Sequence, residues 1–391
     1  MKYVIIGAGV IGTTIARELA IQGKGEVLVL DKEPTWGLHT SGRNSGVIHS
    51  GINQKPRSLK AELCIQGSAL LREYCLENKV PMKQVGTIVV ANSDEEIYRL
   101  QELHEYASAL HVPDVRMISQ GELKEREPYA RGIEALFSPT GAIVDSKRLM
   151  RTLVKDAQKK GVDFRWNTKV TRIDKNFVAT SGIGERFDFL INCSGLHVDT
   201  LAHTTEVGKR YAVIPFREDY QQVPAEVNSM IYQVPDLRFP FLGVHLTKTI
   251  EGKVIAGPTA TLSFAGREGY EGGINSRFFT ETANTPHFIA WVARTLTIPS
   301  LMKQVFHNLR LTNQRVFLED IHQIYNGEIN MSQAQPYSSG IRPQIVDRRG
   351  KLVDDFLIER QGNQVHILNA VSPGLTSSLA FAKHITKYHI L

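Results

Sequence analysis

The chain has 391 residues, 42% hydrophobic and 22% charged, with three cysteines and a net charge of +6. This is ordinary globular composition, long enough for two domains, and it excludes a fibre, a disordered chain and a disulfide scaffold. Basic residues are scattered, with short runs only at Lys159-Lys160 and Arg348-Arg349. No basic stripe interleaved with aromatics marks a nucleic-acid surface, so no nucleic-acid partner is expected. A mild basic excess suits collecting anionic substrates or resting on an anionic membrane, although a solvated surface is the plainer reading.

Cys64, Cys75 and Cys193 are odd in number and lack any CxxC or metal-ligand spacing. They point to a reducing compartment, to no metal site, and to three small buried hydrophobes. Tyr3-Val4-Ile5-Ile6 already reads as a strand, with no signal peptide ahead of it, and nowhere is there a run of about twenty apolar residues. The expected location is the cytoplasm, with at most peripheral contact at the inner face of a membrane.

In chain order, residues 3–31 read strand, helix, strand, and a Gly/Ser/His/Asn-rich stretch covers 37–51. A helix over 58–77 sets Leu59, Leu63, Gly67, Leu70 and Tyr74 on one face. A strand over 85–90 and a helix over 94–110, with acids in its first turn, come next. A helix over 146–160 leads to strands over 163–166, 170–173 and 187–193. Short β-like runs and prolines fill 211–265, and 276–325 is mainly helical. Within that part, 300–310 carries Leu301, Val305 and Leu309 on one face, which suits burial more than membrane docking. Strands over 352–359 and 364–369, a Ser-Pro-Gly turn and a helix over 376–388 close the chain.

Gly7-Ala8-Gly9-Val10-Ile11-Gly12 follows the first strand and opens the first helix, and the second strand ends in Asp31. That context makes G-x-G-x-x-G a dinucleotide fingerprint, with the acid about twenty residues on. Gly7 permits the tight turn, Gly9 lets a pyrophosphate approach, and Gly12 lets helix and strand pack. Asp31 should accept ribose hydroxyls and disfavour a 2′-phosphate. Two later features favour FAD over NAD. The run Asp188 to Gly195 ends a strand in small residues, and Ser372-Pro373-Gly374-Leu375-Thr376 aims a helix N-terminus at developing negative charge.

The fold expected is α/β, with an α+β second domain. A discontinuous Rossmann-like cofactor domain takes 1–80, 141–210 and 336–391; an inserted mixed-sheet substrate domain takes 81–140 and 211–335.

Thr40-Ser41-Gly42-Arg43-Asn44-Ser45-Gly46-Val47-Ile48-His49-Ser50-Gly51-Ile52 resembles the flavin-edge segment of L-2-hydroxyglutarate dehydrogenases and oxidases. These belong to the D-amino-acid-oxidase-like superfamily of FAD enzymes. The resemblance continues at Lys55-Pro56, Ser58-Leu59-Lys60-Ala61, Leu63-Cys64, Glu127-Pro128-Tyr129, Thr140 to Asp145, Asp236, Arg238 to His245, Arg267-Glu268-Gly269-Tyr270, Gly340 to Gln344, Leu352 to Phe356 and Asn369 to Leu379, nearly the whole chain. It implies bound FAD, oxidation of L-2-hydroxyglutarate to 2-oxoglutarate, and electron transfer to oxygen or a membrane quinone. Four places depart from the pattern: Arg43 stands where His is frequent, Asn53-Gln54 where two tyrosines are usual, Glu218 within an Arg-Gly-Glu-Tyr-like run, and Thr259 where Asn is common.

The expected cofactor residues are Gly7, Gly9, Gly12, Asp31, Lys32, Ser41, Gly42, Arg43, Asn44, Ser45, Gly46, Val170, Ser194, Gly195, Arg342, Pro373, Gly374, Leu375 and Thr376. Oxidising a small anionic hydroxy acid requires a proton acceptor and cations for carboxylates. His49 and His245 are the imidazole candidates, and Arg342 the principal cation. Arg43 is a second clamp, and Tyr211, Tyr220, Arg238 and Arg267 are weaker candidates. Oxidation of an amino acid or of glycerol 3-phosphate, and an NAD-dependent dehydrogenase, stand as alternatives.

Overall fold

A computed structural model describes residues 1–236 and 243–390. Six strands form one sheet in the order Leu357–Gln361, Gln364–Asn369, Phe189–Asn192, Lys2–Ile6, Glu26–Leu30 and Asp163–Arg165. All neighbours run parallel except the first pair, which is a hairpin. Parallel strands are covered on both faces and so read as unbroken apolar runs, as Lys2–Ile6 and Glu26–Leu30 do. Helices Val10–Ile21, Leu59–Glu77 and Gly374–Tyr388 pack together beside this sheet, with Ile5, Ile15, Leu19, Ile191 and Phe381 in the shared core. Each such side chain contributes about 1.5–3 kcal/mol by burial.

A larger mixed sheet of nine strands carries the middle of the chain. Its longest pair is Tyr211–Val223 against Gln335–Asp347, running from Tyr211 opposite Asp347 to Gln222 opposite Gln335 with a register shift between Tyr220 and Gln221. The second of these is poorly visible in the sequence, because Pro336 and Pro343 are strand-breaking signals; here Pro343 faces Pro215. Met230–Gln233 runs parallel to Thr87–Ala91 and joins two antiparallel groups. A small sheet of Val47–Ile48, Ala142–Val144 and Met82–Gln84 fixes the chain just before His49.

Several boundaries move for local reasons. The strand expected over 352–359 runs instead over Leu357–Gln361. Asp355, just upstream, is engaged as a cap, accepting the N–H groups of Leu59 (3.1 Å) and Lys60 (2.8 Å) at a helix N-terminus. The final helix begins at Gly374, inside the expected turn. The helical region splits into Pro286–Thr297, Pro299–Arg310 and Gln314–Ile321, the first two opened by proline at the helix start. In Pro299–Arg310, Val305 packs beside Trp291 and Phe288, while Phe306 and Leu309 are exposed. Among the described residues no helix is long and apolar enough to cross a membrane.

The contact between Leu59–Glu77 and Gly374–Tyr388 depends on Gly67. A Cβ there would sit 2.5 Å from the Thr376 carbonyl oxygen and 2.6 Å from the Ser377 Cα. Alanine improves helix propensity by about 1 kcal/mol, but a clash with two backbone atoms cannot be relieved by a rotamer change. Gly67→Ala is therefore expected to lose about 1–3 kcal/mol net, read as a lower midpoint in urea unfolding. An unchanged or higher midpoint would show that the two helices separate freely.

Candidate active site

The glycine loop is shaped by backbone approaches that side chains would block. At Gly7 (φ +100°) a Cβ would meet the Cys193 carbonyl oxygen at 2.6 Å, and at Gly12 it would meet the Gly7 carbonyl oxygen at 2.0 Å. Helix Val10–Ile21 thus starts against the sheet with its N-terminal N–H groups turned toward open space, as anion binding requires. Ser41 Oγ accepts from the Val10 N–H at 2.9 Å, which ties the Gly/Ser-rich segment to the same helix end. Asp31 Oδ2 accepts from Ala8 N–H at 2.6 Å and Oδ1 from Glu33 N–H at 2.9 Å. Its carboxylate therefore braces the loop from the end of the second strand; burial raises its pKa, against those two hydrogen bonds.

One cavity of about 890 Å³ extends from this loop. Gly7, Gly9, Asp31, Lys32, Ser41, Arg43, Asn44, Ser45, Val170, Ser194 and Gly195 line it, as do Pro373, Gly374, Leu375 and Thr376. Ser194 is held there by Asn192, whose Oδ1 accepts its N–H (3.2 Å) and its hydroxyl (2.6 Å). Thr376 Oγ1 accepts the His49 N–H at 3.1 Å and sets the last helix beside the His49 segment. Gly12, Gly42 and Gly46 are not on the cavity wall. They act one step back, since a Cβ would strike Gly7, Gly37 and Val144 carbonyl oxygens at 2.0, 2.1 and 2.4 Å. Asn44 likewise shapes its own loop, donating to the Thr40 and Ser41 carbonyls and accepting from Gly46 N–H.

Deeper in the same cavity are His49, His245, Arg342, Lys60, Glu218 and Tyr220. Burial, with Lys60 nearby, pushes the His49 imidazole down to about 4. Burial also pushes His245 down to about 4, with His49 adding to the shift against a hydrogen bond to Gly243. Both rings are neutral at neutral pH. His245 stacks on Tyr232 at 4.2 Å and its Nδ1 lies 3.1 Å from the Gly243 carbonyl oxygen. A carbonyl only accepts, so Nδ1 carries the proton and Nε2 keeps its lone pair. Arg342 Nη1 is 3.6 Å from Glu218 Oε1.

Lys60 was not among the residues singled out from the sequence. It sits in the first turn of Leu59–Glu77 and is almost completely buried, donating to the Asp354 carbonyl (3.2 Å) and Oδ1 (3.0 Å). Burial and the Arg342 charge lower its pKa, against Asp354. The available signal was its position one turn before Cys64 on the buried side of an otherwise legible helix.

Other candidates have different surroundings. Arg43 Nε donates to the Leu38 carbonyl at 2.8 Å and its guanidinium lies 4.0 Å from the Tyr270 ring centroid. Arg267 is buried, donating to Asp199 Oδ1 (2.5 Å), Asp199 Oδ2 (3.0 Å) and the Leu196 carbonyl (2.7 Å). Tyr211 starts the long strand and its carbonyl oxygen lies 3.0 Å from His203 Nε2. Arg238 lies outside the described residues. Cys64 and Cys75 are buried as expected, whereas Cys193 reaches the cavity wall. Glu33, His39 and Glu268 bring ligand atoms within 4.8 Å of one another. The Lys32 ammonium already occupies that cluster, bonded to Glu33 and, at 2.8 Å, to Glu268.

The wall fits FAD: glycines leave room for a diphosphate, a helix N-terminus faces it, an acid stands at the ribose position, and a second helix N-terminus borders the other end. Asp31→Ala removes both the ribose acceptor and the brace on Ala8. Charged hydrogen bonds are each worth about 1.5–3 kcal/mol, so the FAD dissociation constant should rise at least about tenfold, measured by flavin fluorescence during titration of the apoprotein. Unchanged affinity would remove Asp31 from the cofactor site.

Comparison with known proteins agrees with this geometry. Residues 2–388 match the family model DAO, FAD dependent oxidoreductase. The chain is 35% identical to the mitochondrial L-2-hydroxyglutarate dehydrogenase of Bos taurus, over 97% of this chain and 86% of that one. It is 32% identical to the L-2-hydroxyglutarate dehydrogenase of Escherichia coli K12, over 98% and 92%. Among solved structures, the FAD-bound L-alpha-glycerophosphate oxidase of Mycoplasma pneumoniae superposes with a TM-score of 0.76 at 23% identity, covering 99% and 94%. Glycine oxidase of Geobacillus kaustophilus gives 0.68 at 17%, covering 98% and 93%; at these identities both show the fold alone. The chain belongs to the DAO family of FAD-dependent oxidoreductases.

Proposed function

We propose that this enzyme oxidises the CH–OH group of a 2-hydroxy acid, with L-2-hydroxyglutarate as substrate and 2-oxoglutarate as product. The observation that carries the reading is that two neutral imidazoles and two cationic side chains line one cavity with the residues that fit FAD. The full-length similarity to L-2-hydroxyglutarate dehydrogenases supports the choice of acid. When bound, FAD supplies the two-electron acceptor for the hydride that leaves C2.

The residues of the chain have the remaining work. Arg342 and Lys60 bring positive charge for the two carboxylates, Arg342 as a planar fork and Lys60 as a point charge. His245, with its Nδ1 proton committed to the Gly243 carbonyl and its ring stacked on Tyr232, has no Nε2 proton to give the substrate and serves to shape the chamber. His49 takes the hydroxyl proton as the C–H bond breaks; its neutral form is the active one. Thr376 keeps the His49 backbone fixed against the last helix, so the ring approaches from a rigid position.

His49→Ala should keep the yellow flavin spectrum and slow anaerobic flavin reduction by L-2-hydroxyglutarate about 10²–10⁴-fold, the usual worth of a general base. A reduction rate like that of the parent enzyme would take His49 out of the mechanism. The pH dependence follows from the depressed imidazole. Below about 4 His49 is protonated and cannot accept a proton. Flavin reduction at saturating substrate should stay level from neutral pH downward and fall only as that value is approached. A midpoint near an ordinary histidine value would point to a different base.

A further inference from the structure

Glu218 stands in this chamber without a part in the chemistry above. It lies on Tyr211–Val223 opposite Gly340 of Gln335–Asp347, and Arg342 is two residues along that partner strand, opposite Phe216. Alternation puts Glu218, Gly340 and Arg342 on one face of the sheet. The Arg43 carbonyl oxygen packs over Gly340, 2.5 Å from where a Cβ would be, and beside it the Glu218 carboxylate faces the guanidinium, with Oε1 and Nη1 at 3.6 Å. That is ion-pair range but long for a hydrogen bond. Both groups line the cofactor cavity.

Among the described residues, the other groups nearby are neutral or already engaged. Arg217 and Asp219, on the opposite face, are paired with each other at 2.8 Å, and Ser339 bonds to both. Tyr220 from the same strand and Tyr232 from Met230–Gln233 of the same sheet hold their protons, because burial raises both. His49 and His245 are neutral, and Lys60 is bonded to Asp354. Among the described residues, Arg342 is therefore the cation that faces Glu218. A substrate carboxylate reaching the same guanidinium meets a second carboxylate beside it, and two like charges at that separation oppose each other.

We propose that Glu218 competes with the substrate carboxylate for Arg342, and that it must take up one proton for a carboxylate to bind there. Glu218 is thus a specificity-determining residue that makes substrate capture proton-linked. Burial, which disfavours its charged form against the pull of Arg342, raises its pKa. This rests on Arg342 being the carboxylate cation of the proposed reaction. In sign, a neutral Glu218 no longer competes with the substrate carboxylate for Arg342. KM is then constant below the Glu218 pKa and rises about tenfold for each pH unit above it.

The test uses the FAD-loaded enzyme. KM for L-2-hydroxyglutarate is measured by anaerobic flavin reduction from pH 6.5 to 8.5, for the parent and for Glu218→Gln. The parent KM is expected to climb about tenfold per unit. The variant KM should be level and at least about tenfold lower at pH 8.5. In parallel, glutarate is titrated into the oxidised parent enzyme by calorimetry, in buffers of different ionisation heat. Uptake of about one proton per glutarate at pH 8 supports the proposal even if Glu218→Gln does not fold. No uptake, or a KM slope that survives in Glu218→Gln, overturns it and leaves the proposed reaction standing. Failure of any 2-hydroxy acid to bleach the flavin at any pH overturns both.

Discussion

The site depends on one close contact, the docking of the last helix against Leu59–Glu77 at Gly67. Because Gly67 has no side chain, the backbone of Thr376 and Ser377 comes within van der Waals range of the earlier helix. That approach brings the Thr376 hydroxyl to the His49 N–H and, more loosely, to the Val47 carbonyl at 3.4 Å. Residues more than 300 positions apart in the chain are thereby locked across one cavity. The same helix delivers its positive N-terminus, and the same partner helix delivers Lys60 in its first turn. Moving the interface by an ångström would shift His49, Lys60 and the helix N-terminus together, an error to which site geometry is sensitive.

The chamber is built on charge balance in a poorly hydrated space. Two histidines stay neutral because burial removes the water that would solvate imidazolium, with Lys60 adding to this at His49 and His49 at His245. Lys60 keeps its place because Asp354 answers its charge, and the adjacent Asp355 is spent on the helix cap. Arg342 has Glu218 beside it. Each cation thus has a carboxylate at hand before any substrate arrives. An anionic ligand must displace or neutralise part of that balance, which favours selectivity over raw affinity.

Much of this was legible in the sequence where the signal is local. The βαβ opening follows from apolar strands, glycine spacing and Asp31, and the cavity gathers most of the residues named from it. His49 stood out because a histidine closes a glycine-rich stretch. Three features were hidden because they exist only after folding. Lys60 looks like a surface residue of an amphipathic helix until Asp354, nearly three hundred residues on, covers it. Glu218 was visible as a departure from a pattern, but its nearness to Arg342 comes from a strand pairing that two prolines obscured. Gly42 and Gly46 read as cofactor contacts, yet they serve the loop's own backbone approaches.

The inserted sheet is tied to the nucleotide side by two contacts of unequal kind, and their order matters. Arg267 and Asp199 form a buried bidentate pair, and Asp199 also accepts the Val213 N–H at 2.8 Å. Losing one partner of such a pair typically costs about 3–5 kcal/mol, because the other charge is left stranded. The next residue, Glu268, reaches Lys32 at 2.8 Å and His197 at 2.7 Å at the rim of the cofactor cavity. Partly exposed pairs of this sort are worth little alone, since ordering two long side chains offsets the attraction. Here the ordering is largely done in advance: Arg267 fixes the loop, so Glu268 arrives with its backbone already immobilised. Tyr270, two residues further, is held in the same way by the His39 ring at 2.6 Å and by Arg43. The buried pair supplies the rigidity, and the rim contacts convert it into a closed edge beside Lys32, where the adenosine end of FAD is expected.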